Sequence, residues 1–272
     1  MVLLNSIIFY DNYFEIVKYV DSVMSLPSTE NLYIAVTVNK CENEDVSKIN
    51  EHFRMYKNVF VYFPNCNLGY MNGLIYGYDC FVKETKIEPN YVIMSNTDIV
   101  YKDHLFFAKL NEKKYNRDVW LIGPSVYANN RKCYDNPVSY KRYKKRKLKR
   151  IIAFTSIPVV RSLYVFLSDY KARLLKRPEE KSSYVYEVHG CYFIVKNDFA
   201  KYMVEHKYGM LLYSEESYLA EEVYHNKKRT YYDSDLKIIH DEHTVTGRLK
   251  RKRIARYVSS SLKYILKTYY KE

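Results

Sequence analysis

The sequence predicts an α/β domain with a mostly parallel central sheet flanked by helices. Three observations carry that expectation. Apolar runs at 6–10, 32–38 and 59–63 alternate with helical periodicity at 13–26 and 45–52, an order whose short connections favour parallel neighbours and right-handed crossovers. Tyr91, Val92, Ile93 and Met94 form an unbroken apolar run, so this strand is expected to be covered on both faces. The run then breaks into Ser95, Asn96, Thr97 and Asp98, which puts a carboxylate just past the strand's C-terminal end, where open α/β sheets bind ligands.

The elements follow in order. The run at 6–10 reads as the first strand. Without a basic stretch before it, and with Asn5 and Asp11 interrupting it, the N-terminal segment is not expected to be a signal peptide. Asp11 and Asn12 can N-cap a helix from Tyr13 that stops at Pro27. Strands at 32–38 and 59–63 enclose an acidic helix. Asn67, Leu68, Gly69, Tyr70, Met71, Asn72 and Gly73 then open a helix through Phe81. This stretch holds two of the seven glycines, at a strand-to-helix junction. It reads either as a tight turn or as a close backbone approach to a phosphate or sugar. No Gly-Lys-[Ser/Thr] follows it, so it is not a Walker loop. Further strands are expected at 91–94, 119–124, 185–195 and 236–240, with helices at 198–206 and 217–226.

Charge is unevenly placed. The chain carries 44 Lys and Arg against 31 Asp and Glu, a net +13, which points to a polyanionic or anionic-surface partner. Tyr140 to Arg177 holds thirteen basic residues against one acid, and Arg248 to Glu272 holds nine against one, so the remainder is net acidic. The sequence thus reads as a domain over 1–247 with a basic insert at about 136–182, followed by a basic tail at 248–272. In the tail, Ile254, Tyr257, Val258, Ser261, Leu262, Ile265, Leu266 and Tyr269 share one helical face. Arg253, Arg256, Lys263, Lys267 and Lys271 occupy the other. Such a helix suits an anionic membrane surface, or it packs on the core with its basic face solvated. No apolar run reaches the roughly 18 residues of a membrane span. Five scattered cysteines without a CxxC pair suggest neither a disulfide framework nor a zinc site, and a reducing compartment fits them.

In combination these parts resemble the family 2 glycosyltransferases of the GT-A fold, especially those that build bacterial capsule, O-antigen or cell-wall polysaccharide. The resemblance runs from about Ser6 to Gly247. It rests on Tyr10, Asp11 and Asn12 at the end of the first strand, the 67–73 stretch, and Asn96-Thr97-Asp98 in place of an Asp-containing metal motif. Gly123-Pro124, His189-Gly190-Cys191, the pair Glu215-Glu216 and His240 follow in order.

That likeness implies an inverting transferase that moves a sugar from a nucleotide donor, UDP- or dTDP-linked, to a polyprenyl-diphosphate-linked saccharide. It would work at the inner face of the cytoplasmic membrane, held by the basic insert and tail. Asp98 would hold Mn²⁺ or Mg²⁺ against the donor diphosphate, with His240, or less directly His243, completing the site. Glu216, or alternatively Glu215, would take the acceptor hydroxyl's proton. Tyr10, Asp11, Asn39, Asn67, Gly69, Asn72, Gly73, Asn96 and Gly190 would line the donor site. Where the family ends its second strand in Val-Asp-Asn, this chain has Val38-Asn39-Lys40, so Asn39, Lys40 or Asp11 would contact the base or ribose. Two other readings remain at this point: a catalytically inactive membrane scaffold, suggested by Asn96 at the first metal-motif position, and a nucleic-acid-binding protein. The second lacks any recognisable nucleic-acid-binding signature, and no nucleic-acid partner is expected.

Overall fold

Apolar runs covered on both faces need helices on both sides of the sheet, and the fold supplies them. The computed structural model describes residues 1–40, 43–157, 177–241 and 251–271. Strand β1 (Leu3–Tyr10), helix α1 (Tyr13–Met24), β2 (Leu32–Lys40), α2 (Asn43–Phe53) and β3 (Val59–Tyr62) come first, and α3 (Tyr70–Thr85) leads into β4 (Tyr91–Ser95). β1 pairs in parallel with β2 and β4, and β2 with β3, as the alternating pattern predicts. The remaining elements are β5 (Ile99–Val100), α4 (Phe106–Glu112), β6 (Val119–Ala128), β7 (Cys133–Tyr134), α5 (Lys145–Ser156), β8 (Ser183–Val185), β9 (Tyr192–Lys196), α6 (Asn197–Glu205), α7 (Glu215–His225), β10 (Arg229–His240) and α8 (Arg251–Tyr269). The strands form one sheet in the order β3-β2-β1-β4-β9-β6-β10-β5, with β7 on β6 and β8 on β10.

β4 is buried on both faces, and its side chains alternate between two core layers. Tyr91 and Ile93 of β4 face a core layer with Ile16 and Val20 of α1, Phe53 of α2 and Phe106 of α4. Val92 and Met94 face the opposite layer, with Leu74 and Phe81 of α3, Phe199 of α6, Leu219 of α7 and Leu262 of α8. Under the cleft runs a buried polar chain. Asn5 Nδ2 donates to Tyr19 Oη at 2.7 Å, Tyr19 Oη meets Ser95 Oγ at 2.8 Å, and Tyr101 Oη donates to Tyr192 Oη at 3.1 Å. With Tyr19 Oη also 3.2 Å from Tyr101 Oη, the chain ties β1, β4 and β9 together.

The second half departs from the expectation in two places. The apolar stretch at 185–195 forms two strands instead of one. β8 pairs antiparallel with β10, β9 pairs antiparallel with β4 and β6, and residues 186–191 cross between them at the cleft. β10 is more than twice as long as expected, because its first half, Arg229 to Asp233, is too polar to read as a strand. Arg229 pairs with Asp118, and buried Asp233 takes Lys113 Nζ at 3.0 Å and Tyr115 Oη at 2.7 Å, so those charges are neutralised in place. Residues 234–236 then loop out between two stretches of register with β6.

The tail takes the second of its two readings and packs on the core. α8 runs antiparallel to α5. Arg142 Nη2 donates to Tyr269 O at 2.9 Å near one end, and Ser156 Oγ lies 3.2 Å from Ser259 Oγ near the other. Leu262 and Ile265 sit in the core, while Arg256, Lys263, Lys267 and Lys271 stay exposed. The apolar face anticipated for a membrane is therefore spent on the protein itself. Among the described residues no helix is long and apolar enough to cross a membrane. The apolar part of the insert at 159–167, and His243, lie outside the described residues.

Candidate active site

Asp98 and His240 are far apart in sequence, and one short strand pair joins them. β5 pairs antiparallel with the end of β10, setting His240 opposite Ile99, and Asp241 N donates to Asp98 O at 2.9 Å. The outcome is a His240 Nε2–Asp98 Oδ1 distance of 3.3 Å between two side chains less than a tenth exposed. His240 Nδ1 is buried without a hydrogen-bond partner. Burial opposes charge on His240, but Cys191 and Asp98 beside it outweigh that and raise it to about 11. A carboxylate and a desolvated imidazole at this spacing, one with an unused nitrogen, fit a hard or borderline divalent cation.

Glu215 and Glu216 open α7, where the helix dipole favours acids. The backbone arrives through two left-handed residues, Tyr213 (φ 71°) and Ser214 (φ 63°). This sharp entry turns the two carboxylates in different directions. Glu215 is buried, its Oε1 accepting from Tyr213 N at 2.7 Å; desolvation, then Glu216, push its pKa up. Glu216 is half-buried and reaches the 186–191 crossing: a Cβ on Gly190 would lie 3.1 Å from Glu216 Oε2. Gly190 is thus the space that Glu216 occupies. From the other side Tyr70 Oη donates to Gly190 O at 3.3 Å. Glu187, on the same crossing, accepts at Oε1 from Ser217 Oγ at 2.5 Å; burial, then Glu216, push its pKa up to about 7.

The crossing also delivers two residues that the sequence did not single out as ligands. His189 and Cys191 meet His240, the ring centroids of His189 and His240 being 5.7 Å apart. Asn136 fixes this segment, accepting from His189 N at 2.6 Å and donating to Pro124 O at 2.8 Å. Burial disfavours the Cys191 thiolate, yet the two imidazoles pull the thiol down to about 7. The His-x-Cys spacing was visible in the sequence, but nothing there showed His240 arriving opposite it.

The expected donor residues divide into two groups. Tyr10, Asp11 and Lys40 gather at the C-terminal ends of β1 and β2, Lys40 paired with Asp11 and its Nζ 5.5 Å from the exposed Tyr10 ring. Asn96 and Asp98 sit in the turn after β4, with Asn96 N donating to Cys191 O at 2.8 Å. Asn12 takes the expected N-cap position of α1, but its side chain accepts from Tyr10 N and donates to Thr97 Oγ1, tying the first group to that turn.

The 67–73 stretch makes the tight turn into α3, with Gly69 at φ 77° just before the helix. Asn39 holds it from below, donating to Gly69 O at 2.7 Å and accepting from Leu68 N at 3.2 Å, and Asn67 Oδ1 accepts from Gly69 N at 2.9 Å. Asn72 makes a two-way bond with the backbone of Tyr208, and Gly73 packs against Ile8 and Asn39. Asn39, Asn72 and Gly73 are therefore occupied in holding α3 on the sheet and the 207–214 loop on α3.

No protein-family model matches the chain, and no curated protein matches it in sequence. Solved structures do. The crystal structure of GalNAc-T7 with UDP, GalNAc and Mn²⁺ superposes with a TM-score of 0.56 at 12% identity, over 89% of this chain and 44% of that one. The mannosyltransferase PcManGT from Pyrobaculum calidifontis, in complex with GDP-Man and Mn²⁺, gives 0.54 at 10% identity, over 89% of this chain and 57% of that one. The chain thus spans about half the length of these proteins. At such identities the likeness is one of fold, and the fold is GT-A.

Proposed function

We propose that the chain is a metal-dependent, inverting glycosyltransferase. It moves a sugar, of hexosyl or rhamnosyl type, from a UDP- or dTDP-linked donor to a polyprenyl-diphosphate-linked saccharide in cell-surface polysaccharide synthesis. The observation that carries this reading is that Asp98 meets His240 while Glu216 reaches Gly190, whose chain neighbour Cys191 lies against His240. Nucleotides and Mn²⁺ in both solved neighbours support the donor and metal classes.

In this reading Tyr10 offers a ring face for the nucleobase, with Asp11 and Lys40 beside it for the base or ribose. Asp98 and His240 hold the cation, which when bound would neutralise charge on the departing diphosphate. Glu216 stands across Gly190 and takes the proton of the acceptor hydroxyl as the new bond forms. Its half-buried carboxylate suits it to this better than that of Glu215, which is buried and caps the preceding loop. Thermal shifts with UDP, dTDP, GDP and CMP, each with and without Mn²⁺, test the reading. A ligand at ~100 times its Kd stabilises by about 2.7 kcal/mol. A shift with one nucleotide that needs Mn²⁺ is expected, and no shift with any would overturn the proposal.

The exposed basic residues of α5 and α8, Arg146, Lys149, Arg150, Lys263 and Lys267 among them, would hold the enzyme to anionic lipid at the inner face of the membrane. Because the apolar face of α8 is packed in the core, this attachment is electrostatic. Charge reversal at Lys149, Arg150, Lys263 and Lys267 is expected to abolish flotation with anionic vesicles without lowering the melting temperature. Binding that persists in the reversed variant and in high salt would sink the idea.

A further inference from the structure

The site holds more donor atoms than a carboxylate and one histidine. Cys191 Sγ, a ring nitrogen of His189 and a ring nitrogen of His240 all lie within 4.8 Å of one another. All three belong to backbone that is held in place. Asn136 accepts from His189 N, Cys191 O accepts from Asn96 N, and His240 ends the pairing of β10 with β5 and β6. Cys191 is 3% exposed and the His240 side chain 9%, so both donors have already lost their water, while the half-exposed His189 leaves a way in. His240 Nδ1 has no hydrogen-bond partner although it is buried. A desolvated, unpartnered nitrogen among sulfur, nitrogen and carboxylate donors is an arrangement that a cation would satisfy.

The chemistry of the set decides which cation. Sulfur is a soft donor that Mg²⁺ does not seek, and imidazole plus thiolate favours ions of the zinc class. Zinc–nitrogen and zinc–sulfur bonds of about 2.0–2.3 Å put tetrahedral donors under about 4 Å apart, so the three must close by roughly 1 Å, which side-chain rotation can supply. His189 Nδ1 accepts from Cys191 N at 3.2 Å, a long bond that is lost if the ring turns that nitrogen to an ion.

We propose that Cys191, His189 and His240, with Asp98 beside them, form a thiolate-containing cation centre that prefers Zn²⁺ and Co²⁺ to Mg²⁺. It rests on the transferase reading only in sharing Asp98 and His240 with the donor's cation. Zinc would therefore compete with Mn²⁺ for one place, and the thiol gives up its proton as the ion enters.

The test is a Co²⁺ titration of the full chain without nucleotide, followed by near-ultraviolet and visible absorption. We expect one equivalent of Co²⁺ with a sulfur-to-cobalt charge-transfer band, displaced by one equivalent of Zn²⁺ and unaffected by excess Mg²⁺. Cys191→Ser should remove the band, and Cys66→Ser, at an exposed cysteine, should keep it. If Cys191→Ser does not fold, His189→Ala keeps the test open, with Co²⁺ expected to bind about 10-fold more weakly or worse. Cobalt binding without a sulfur band, a band that survives Cys191→Ser, or undiminished affinity in His189→Ala would each overturn the proposal. A Mn²⁺-dependent nucleotide shift alongside any of these would leave the transferase reading standing. Failure of both Co²⁺ and Mn²⁺ to bind would overturn the two together.

Discussion

Two carboxylates that look equivalent in the sequence acquire different surroundings. Glu215 folds back onto Tyr213 N, whereas Glu216 fills the space left by Gly190. Glu216→Gln is expected to lower kcat by about 10²–10⁴-fold with little change in nucleotide affinity, the range for loss of a general base. Glu215→Gln should act mainly on stability, through the loop it caps. Equal losses of kcat in steady-state assays of both variants would refute this division. At Asp98 the expectation concerns the cation. Asp98→Ala should abolish the Mn²⁺-dependent part of the nucleotide thermal shift while leaving any metal-independent part intact, and calorimetry of Mn²⁺ binding reads it directly.

At the scale of elements, the 67–73 stretch shows how a glycine can matter without touching a ligand. Gly69 has φ +77°, and a Cβ there would lie 2.1 Å from Leu211 O, the same carbonyl that accepts from Tyr70 N at 3.0 Å. The start of α3 and the loop before Glu215 are thus sewn together backbone to backbone. Gly69→Ala must either move that loop or break the bond, at a cost of about 1–3 kcal/mol. We expect a melting temperature lower by about 2–4 °C per kcal/mol, measured by calorimetry, with transferase activity falling further than the stability loss explains. An Ala variant with unchanged melting and activity would show that the loop is not held from this point.

For the molecule as a whole, the C-terminal helix is a structural member. Ser261 Oγ donates to Leu212 O at 2.9 Å, so α8 braces the same loop that Gly69 approaches from the other side. Arg142 locks α8 in place, donating to both oxygens of the buried Glu221 and to Tyr269 O, with the Tyr270 ring 4.2 Å away. Removing one partner of a buried ion pair strands the other, which costs about 3–5 kcal/mol. Arg142→Ala should therefore destabilise by that amount in urea unfolding and expose α8 to proteolysis. Arg142→Lys should recover only part, since a lysine cannot make the forked contact. A protease-resistant Arg142→Ala variant of native stability would argue against the lock.

The sequence by itself determined the layered α/β class, the parallel first half and the polar break after β4, because these follow from periodicity and from runs too apolar to leave exposed. It also placed Asp98, Glu216 and His240 at the ends of elements, where sheets of this kind collect their chemistry. It did not determine that 185–195 splits, since a strand that changes partners keeps the same apolar pattern. Nor did it decide whether the tail's apolar face meets lipid or protein, because the hydrophobic effect has no direction and either partner satisfies it. That Asn39 and Asn72 hold backbone was not legible either, because an amide serves a sugar and a backbone equally well, and the packing of α3 supplies those partners. The meeting of His189 and Cys191 with His240 belongs to the tertiary structure alone, since it depends on antiparallel β9 beginning where β10 ends.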